Sequence, residues 1–148
     1  MPRARIGLLL ATTMLAACGA FRGAAPSPSP ADFGVFATEL LARGVTVSNV
    51  VSGDPGCDDA SLAPTAIAFK ASGRDQPTAV QVRVYLFRDD AAFERRRADV
   101  DTCVTAWATD PATFELVDAM PYVLAGQGPW GEQFKIALRA AIRNAAGD

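Results

Sequence analysis

The chain has 148 residues, of which 50% are hydrophobic and 20% charged, with 14 basic side chains, 16 acidic side chains and no histidine. This length and hydrophobic content indicate one folded domain and exclude a disordered chain. The acidic balance argues against a nucleic-acid partner, because nucleic-acid-binding proteins usually have a basic face. The lack of histidine removes the commonest general base and metal ligand, and with it the usual Ser-His and Cys-His catalytic pairs.

The first eighteen residues have the pattern of an export signal. Two arginines at positions 3 and 5 precede an apolar segment at 6–15, which at about ten residues is too short to span a bilayer. The segment ends in Leu15-Ala16-Ala17-Cys18, which resembles the lipobox of bacterial lipoproteins. The resemblance implies cleavage before Cys18, a diacylglyceryl group on the thiol of Cys18, and stable membrane attachment through fatty chains such as palmitate.

The same resemblance predicts where the protein is located and how it is divided. We expect an exported protein anchored at the cell envelope, and in the outer membrane of a Gram-negative host, because Gly19 is not the aspartate of an inner-membrane retention signal. The signal peptide is 1–17, the lipidated cysteine and a Pro/Ser-rich tether are 18–30, and a single domain is 31–148. The mature side chains carry a net charge of −4 (12 basic against 16 acidic), so the lipid, and not charge, holds the protein at an anionic membrane.

The rest of the sequence predicts three helices and five strands in the order α-β-β-β-α-β-β-α. Capping residues, turn residues and the spacing of apolar side chains define them. In chain order they are a helix from Pro30 that stops at Gly44, strands at 45–51, 64–70 and 78–87, a helix from Asp89 or Asp90 to about Trp107, strands at 114–117 and 122–125, and a helix at about 129–145. This order indicates an α+β fold, with a small antiparallel sheet and amphipathic helices packed on one face.

The third predicted strand, 78–87, has two different faces. Its even-numbered positions from Val80 to Leu86 are apolar, whereas its odd-numbered positions are Gln81, Arg83, Tyr85 and Phe87. If helices cover only the apolar face, this mixed face is open to a partner, and aromatic side chains dominate binding surfaces. We therefore take Gln81, Arg83, Tyr85 and Phe87 as a candidate binding surface.

The segments 78–93 and 120–125, with the closing helix, resemble a loose group of small bacterial lipoproteins of the cell envelope. The resemblance supports a fold of this kind and implies no catalytic residues.

Cys57 and Cys103 remain once Cys18 is assigned to lipid. In an exported protein such a pair is most simply a disulfide. A bond between them closes a loop of 47 residues, which is worth about 4 kcal/mol by loop entropy. The alternatives are a free nucleophile, which here lacks a histidine base, or a metal pair, whose usual zinc-ligand spacing is missing. We predict a structural disulfide and no metal.

Gly126-Gln-Gly-Pro-Trp-Gly131 fits the G-x-G-x-x-G pattern of dinucleotide sites, after a strand and at the start of a helix. No second parallel strand follows this helix, and only Asp148 lies near the spacing at which an acid would bind a ribose. The pattern therefore predicts a tight strand-to-helix turn, with Pro129 at the first helical position, and no cofactor. One alternative stays open, because three backbone amides at a helix start can hold an anion.

Acidic residues gather at two places, Asp54, Asp58 and Asp59 around Cys57, and Asp99 and Asp101 on the second predicted helix. They do not have the register of a calcium loop, but two of them could form a glycosidase-type carboxylate pair. We expect them to be solvated, like the Arg95-Arg96-Arg97 run, for which salt bridges along the helix are expected.

The sequence thus favours a lipid-anchored, non-catalytic domain that binds or scaffolds an envelope protein, an envelope polymer or a small ligand. One alternative is an envelope hydrolase that uses paired carboxylates, with the two acids about 5 to 9.5 Å apart in a cleft. Another is an inhibitor or accessory subunit of an envelope enzyme.

Overall fold

A computed structural model describes residues 30–147. The predicted signal peptide, Cys18, the tether up to Ser29 and the terminal Asp148 lie outside the described residues. Between residues 30 and 147 no helix is both long enough and apolar enough to cross a bilayer.

The described chain forms three helices and a five-stranded antiparallel sheet, in the predicted order. The elements are α1 (Pro30–Ala42), β1 (Val45–Ser52), a 3-10 turn (Ala63–Thr65), β2 (Ala66–Gly73), β3 (Gln76–Leu86), α2 (Asp90–Val104), β4 (Phe114–Ala119), β5 (Tyr122–Gln127) and α3 (Glu132–Ala146). The strands lie in the order β1-β2-β3-β5-β4, so β3 is central and β1 and β4 are the edges. The α+β class and the element order are confirmed.

One face of the sheet packs against α1 and α3. The apolar side of β3, with Val82 and Val84, meets Phe36 of α1 and Phe134 of α3 in the larger of two buried clusters. Phe33 and Phe36 also contact the ring of Phe69 on β2, at centroid distances of 5.2 and 6.0 Å. These contacts cover the stripe at i, i+3, i+4 and i+7 that the spacing of apolar residues predicts on both helices. The predicted stripe also includes position i+8, which is buried in α3 (Ile142) but not in α1, where Leu41 is 62% exposed.

The prediction that all helices lie on one face is wrong for α2. Phe93, Val100 and Val104 of this helix pack on the opposite face, against Tyr85 and other side chains of the second cluster. The physical reason is that β3 carries large apolar side chains on both faces near its end, so both faces must be covered. The sheet is therefore sandwiched, with two helices on one side and one on the other.

Several element boundaries differ from the sequence prediction: α2 ends at Val104 and not near Trp107, most strands are shifted or longer by a few residues, and the starts of β2 and α3 have a physical reason. β2 begins at Ala66 and not at Pro64, because Ala63–Thr65 forms the 3-10 turn that leads into the strand. α3 begins at Glu132, with Gly131 as its N-cap, so Pro129 precedes the helix and does not occupy its first position. Trp130 between them is buried against the ring of Phe134, which takes this part of the turn into the core.

Candidate functional site

Cys57 and Cys103 form the predicted disulfide, with their Cα atoms 5.4 Å apart. The bond joins the loop after β1 to the last turn of α2. Cys103 is buried, with 3% of its surface exposed, whereas Cys57 is partly exposed. The disulfide therefore fixes α2 over the sheet, and one of its two cysteines is partly exposed.

Tyr85 lies under this disulfide, at the centre of the second cluster. Its hydroxyl donates a hydrogen bond to the carbonyl oxygen of Pro55 at 2.7 Å and lies 3.9 Å from Sγ of Cys103. Burial raises the pKa of Tyr85 to about 12, so the hydroxyl keeps its proton and remains a donor. Tyr85 thus supports the loop that presents Cys57.

An open pocket of about 370 Å³ lies directly beside the disulfide. Three carboxylates, one threonine of α2, one alanine just beyond α2 and the disulfide itself line it: Asp58, Asp59, Asp99, Thr102, Ala106, Cys57 and Cys103. Asp58 and Asp59 come from the loop after β1, and Asp99 comes from α2. The fold therefore brings together members of both acidic groups that the sequence showed separately.

Hydrogen-bond donors contact two of the three pocket carboxylates. Asp59 accepts from the hydroxyl and the backbone N–H of Ser61 at 2.5 and 2.8 Å, and these bonds hold the pKa of Asp59 below its ordinary value. Asp99 accepts from Nε of Arg96 at 2.5 Å. Arg96 also donates from Nη2 to the Ser61 hydroxyl at 2.7 Å, which links the two sides of the pocket. The pocket rim therefore carries three carboxylates and one guanidinium.

The other two predicted acids lie outside this pocket. Both oxygens of Asp54 are 3.3 Å from Nη2 of Arg83. Asp101 pairs with Arg97, which also donates to Asp118 of β4 at 2.7 Å. The expected salt bridges of the arginine run thus form for Arg96 and Arg97. Within residues 30–147 no group of three histidine, cysteine or carboxylate side chains is placed to hold a metal ion.

The four residues proposed as a binding surface do not form one open face. Gln81 is exposed, but Tyr85 is fully buried and Phe87 is 4% exposed, because α2 covers this part of the sheet. Phe87 packs edge-on against Phe93 of α2, with ring centroids 5.9 Å apart. The proposal that Tyr85 and Phe87 meet a partner is therefore wrong; both belong to the core.

Arg83, the remaining residue of that set, is enclosed by the loop after β1 and by Trp107. Its guanidinium lies 4.8 Å from the centroid of the Trp107 ring, in a cation–π contact. Gly56 passes so close that a Cβ on it would lie 2.7 Å from Nε of Arg83 and 2.8 Å from the indole. The side chain of Arg83 is 14% exposed, and its Nε has no hydrogen-bond partner among the described residues. Arg83 therefore supports the loop, and only a small part of its side chain is accessible to a ligand.

The glycine-rich turn before α3 is already occupied by the protein itself. The backbone N–H groups of Gln133 and Phe134 donate to the carboxylate of Asp75, at 3.0 and 2.8 Å, and hold its pKa below the ordinary value. A Cβ on Gly131 would lie 2.3 Å from the same carboxylate. The anion that the helix start can bind is thus the side chain of Asp75, from the β2–β3 turn. Sequence reasoning missed this contact, since Asp75 and Gln133 are 58 residues apart.

A scan against protein-family models finds no match for this chain. Searches of curated proteins and of solved structures find no significant match either.

Proposed function

We propose that this chain is an exported lipoprotein, attached to the cell envelope by lipid on Cys18, whose domain binds or scaffolds a partner and does not catalyse a reaction. The observation that carries the proposal is the lipobox Leu15-Ala16-Ala17-Cys18 behind a short apolar export segment. The Cys57–Cys103 disulfide supports it, because such bonds form and persist in oxidising compartments outside the cytoplasm.

The chemistry of the pocket favours binding over hydrolysis by paired carboxylates. Such a hydrolase needs one carboxyl group that keeps its proton until it transfers it to the leaving group. In this pocket the shift of the Asp59 pKa is in the opposite direction, and Asp99 is paired with a guanidinium. Asp59 is therefore suited to act as a fixed negative charge and hydrogen-bond acceptor, and poorly suited to act as the proton donor.

If the partner is a protein, the proposal includes the alternative raised by the sequence, in which this chain is an inhibitor or accessory subunit of an envelope enzyme. An envelope protein is a suitable partner because the tether, rich in proline and serine, would hold the domain near the membrane but away from its surface. A scaffold and an inhibitor differ in whether the bound enzyme loses activity.

The experiment that tests the proposal compares the wild-type chain with Cys18→Ser in the host. We expect wild type in the membrane fraction with a diacylated N-terminal peptide by mass spectrometry, and Cys18→Ser without the lipid and outside that fraction. Gly19→Asp serves as a matched control that keeps Cys18, and it should stay lipidated. Equal partitioning of wild type and Cys18→Ser, with an unmodified peptide, would overturn the anchor.

Proteins cross-linked to the wild-type chain in the same membranes then test the binding role. Recovery of one envelope protein with wild type, and its loss with Cys18→Ser, is the expected result. Turnover of an envelope polymer by the purified chain, abolished by Asp99→Asn, would instead show the hydrolase.

A further inference from the structure

The disulfide differs from a purely internal crosslink because both of its cysteines line an open pocket and one of them is partly exposed. Cys57 is partly exposed and lies on the loop side of the pocket, whereas Cys103 is 3% exposed. Sγ of Cys103 is 3.3 Å from the carbonyl oxygen of Pro55 and 3.9 Å from the Tyr85 hydroxyl, so protein atoms occupy its inner side. An external thiol therefore has access to Cys57 from the pocket.

The charges around this entrance are predominantly negative. Asp58, Asp59 and Asp99 line the pocket with the disulfide, and Arg96 is the guanidinium that bonds Asp99. Three carboxylates against one guanidinium leave an excess of two negative charges in the pocket that Cys57 lines. Charges that line one pocket act through solvent on a reactant inside it, with an energy that changes rates by about an order of magnitude at low ionic strength.

We propose that Cys57 is the site of thiol–disulfide exchange on this protein, and that the pocket carboxylates make it selective for thiols that carry a positive charge. The thiolate of the reductant attacks Sγ of Cys57, and the bond between Cys57 and Cys103 breaks. Its electron pair leaves on Sγ of Cys103, which then takes a proton from solvent. A second reductant thiolate attacks the reductant-derived sulfur of the mixed disulfide, so that Cys57 leaves as a thiolate and takes a proton from solvent, and two reductant thiols become one disulfide.

The position of Cys103 also makes the exchange directional. Cys103 lies in the last turn of α2 and is 3% exposed, and its sulfur faces the carbonyl oxygen of Pro55. Another protein therefore cannot reach Cys103, and the mixed disulfide forms at Cys57.

The test uses the full chain carrying Cys18→Ser, so that Cys57 and Cys103 are its two remaining cysteines. The oxidised protein is reduced by cysteamine, 2-mercaptoethanol or 3-mercaptopropionate, which are cationic, neutral and anionic thiols. Each rate, per thiolate, is divided by the rate of the same thiol with 2-hydroxyethyl disulfide. This ratio removes the intrinsic reactivity of the thiol and leaves the effect of the pocket.

We expect the corrected rate to be on the order of tenfold higher for cysteamine than for 3-mercaptopropionate at low salt, and the difference to shrink at high salt. Asp58→Asn should reduce the preference to about threefold, because it removes half of the charge excess. Glu94→Gln removes one negative charge on α2 outside the pocket lining, and should leave the preference unchanged. Corrected rates that are equal for all three thiols would overturn the proposal. So would a preference for cysteamine that is the same in Asp58→Asn and Glu94→Gln.

The attacked sulfur is identified by trapping the mixed disulfide with acid and alkylating the free thiol. Peptide mass spectrometry should find cysteamine on Cys57 and the alkyl group on Cys103. A rate proportional to thiol concentration is expected for attack on the folded protein. Cysteamine on Cys103, or a rate independent of thiol concentration because unfolding must come first, would contradict it. None of these outcomes depends on the lipid anchor.

Discussion

In the loop after β1, Gly56 is the glycine that is least able to accept a side chain. It has a φ of 84°, and a Cβ there would collide with both Arg83 and Trp107. Gly53 has a φ of 85° in the same loop, but a Cβ added to it would have no heavy atom within 4 Å. The two glycines therefore share the left-handed backbone conformation and differ in packing.

The first prediction follows from this pair. Gly53→Ala should lower the free energy of unfolding by about 1 kcal/mol, the cost of a left-handed non-glycine residue. Gly56→Ala should lower it by about 3 kcal/mol, because overpacking adds a further penalty of about 2 kcal/mol. Urea denaturation of the oxidised protein measures both. Equal losses would mean that the enclosure of Arg83 contributes nothing to stability.

The contacts of Asp75 predict how the stability of the protein depends on pH. Its folded pKa lies below the ordinary value of 3.8, because the N–H groups of Gln133 and Phe134 stabilise the charged form. A depressed folded pKa gives stability that is fully present above the unfolded pKa and is lost as the pH falls through the folded pKa. Asp75→Asn should therefore lower Tm by a constant amount near neutral pH, and by less below about pH 4. Thermal scans from pH 2 to 8 measure the difference.

The control for that experiment is Asp58→Asn, whose carboxylate is exposed beside the disulfide pocket. Its Tm should follow that of the wild type across the range. A gap between wild type and Asp75→Asn that stays the same at pH 2 would show that the charge of Asp75 does not stabilise α3.

At the scale of single residues, contacts of this kind could not be predicted from the sequence. Asp75 and Phe134 are 59 residues apart, and Arg83 of β3 meets Trp107 in the turn after α2. Neither pair belongs to a local motif, so only the assembled fold shows them. The pairing of Cys57 with Cys103 could be predicted because the assignment of Cys18 to lipid left two cysteines.

At the scale of elements, periodicity was sufficient for the number, type and order of the helices and strands. It could not assign α2 to a face. β3 alternates Val82 and Val84 with Arg83 and Tyr85, so both of its faces offer partners to an apolar helix stripe. On the second face α2 is joined to the rest of the domain by two long-range connections, the disulfide to Cys57 and the ion pair of Arg97 with Asp118, and neither follows from periodicity.

The disulfide is the strongest of these connections, which gives a third prediction. Cys57→Ala/Cys103→Ala should lower the free energy of unfolding by about 4 kcal/mol, since it frees a loop of 47 residues in the unfolded chain. Wild type denatured in urea with a reductant should lose the same amount. Cys18→Ser, which keeps this bond, should match wild type. A loss below about 1 kcal/mol would show that side-chain packing alone holds α2.

At the scale of the whole molecule, the Pro/Ser-rich composition of residues 18–30 predicts a tether that does not stabilise the domain. A chain that starts at Ser29 should therefore have the same free energy of unfolding as a chain that starts at Cys18, to within about 0.5 kcal/mol. A chain that starts at Gly34 loses Phe33, which is 4% exposed and packs on Phe69, and should lose about 3 kcal/mol. Urea denaturation of the three chains, each expressed without lipid and oxidised, measures their free energies of unfolding and so locates the start of the folded domain. If the start at Ser29 is as costly as the start at Gly34, the segment before Pro30 belongs to the domain and does not act as a tether.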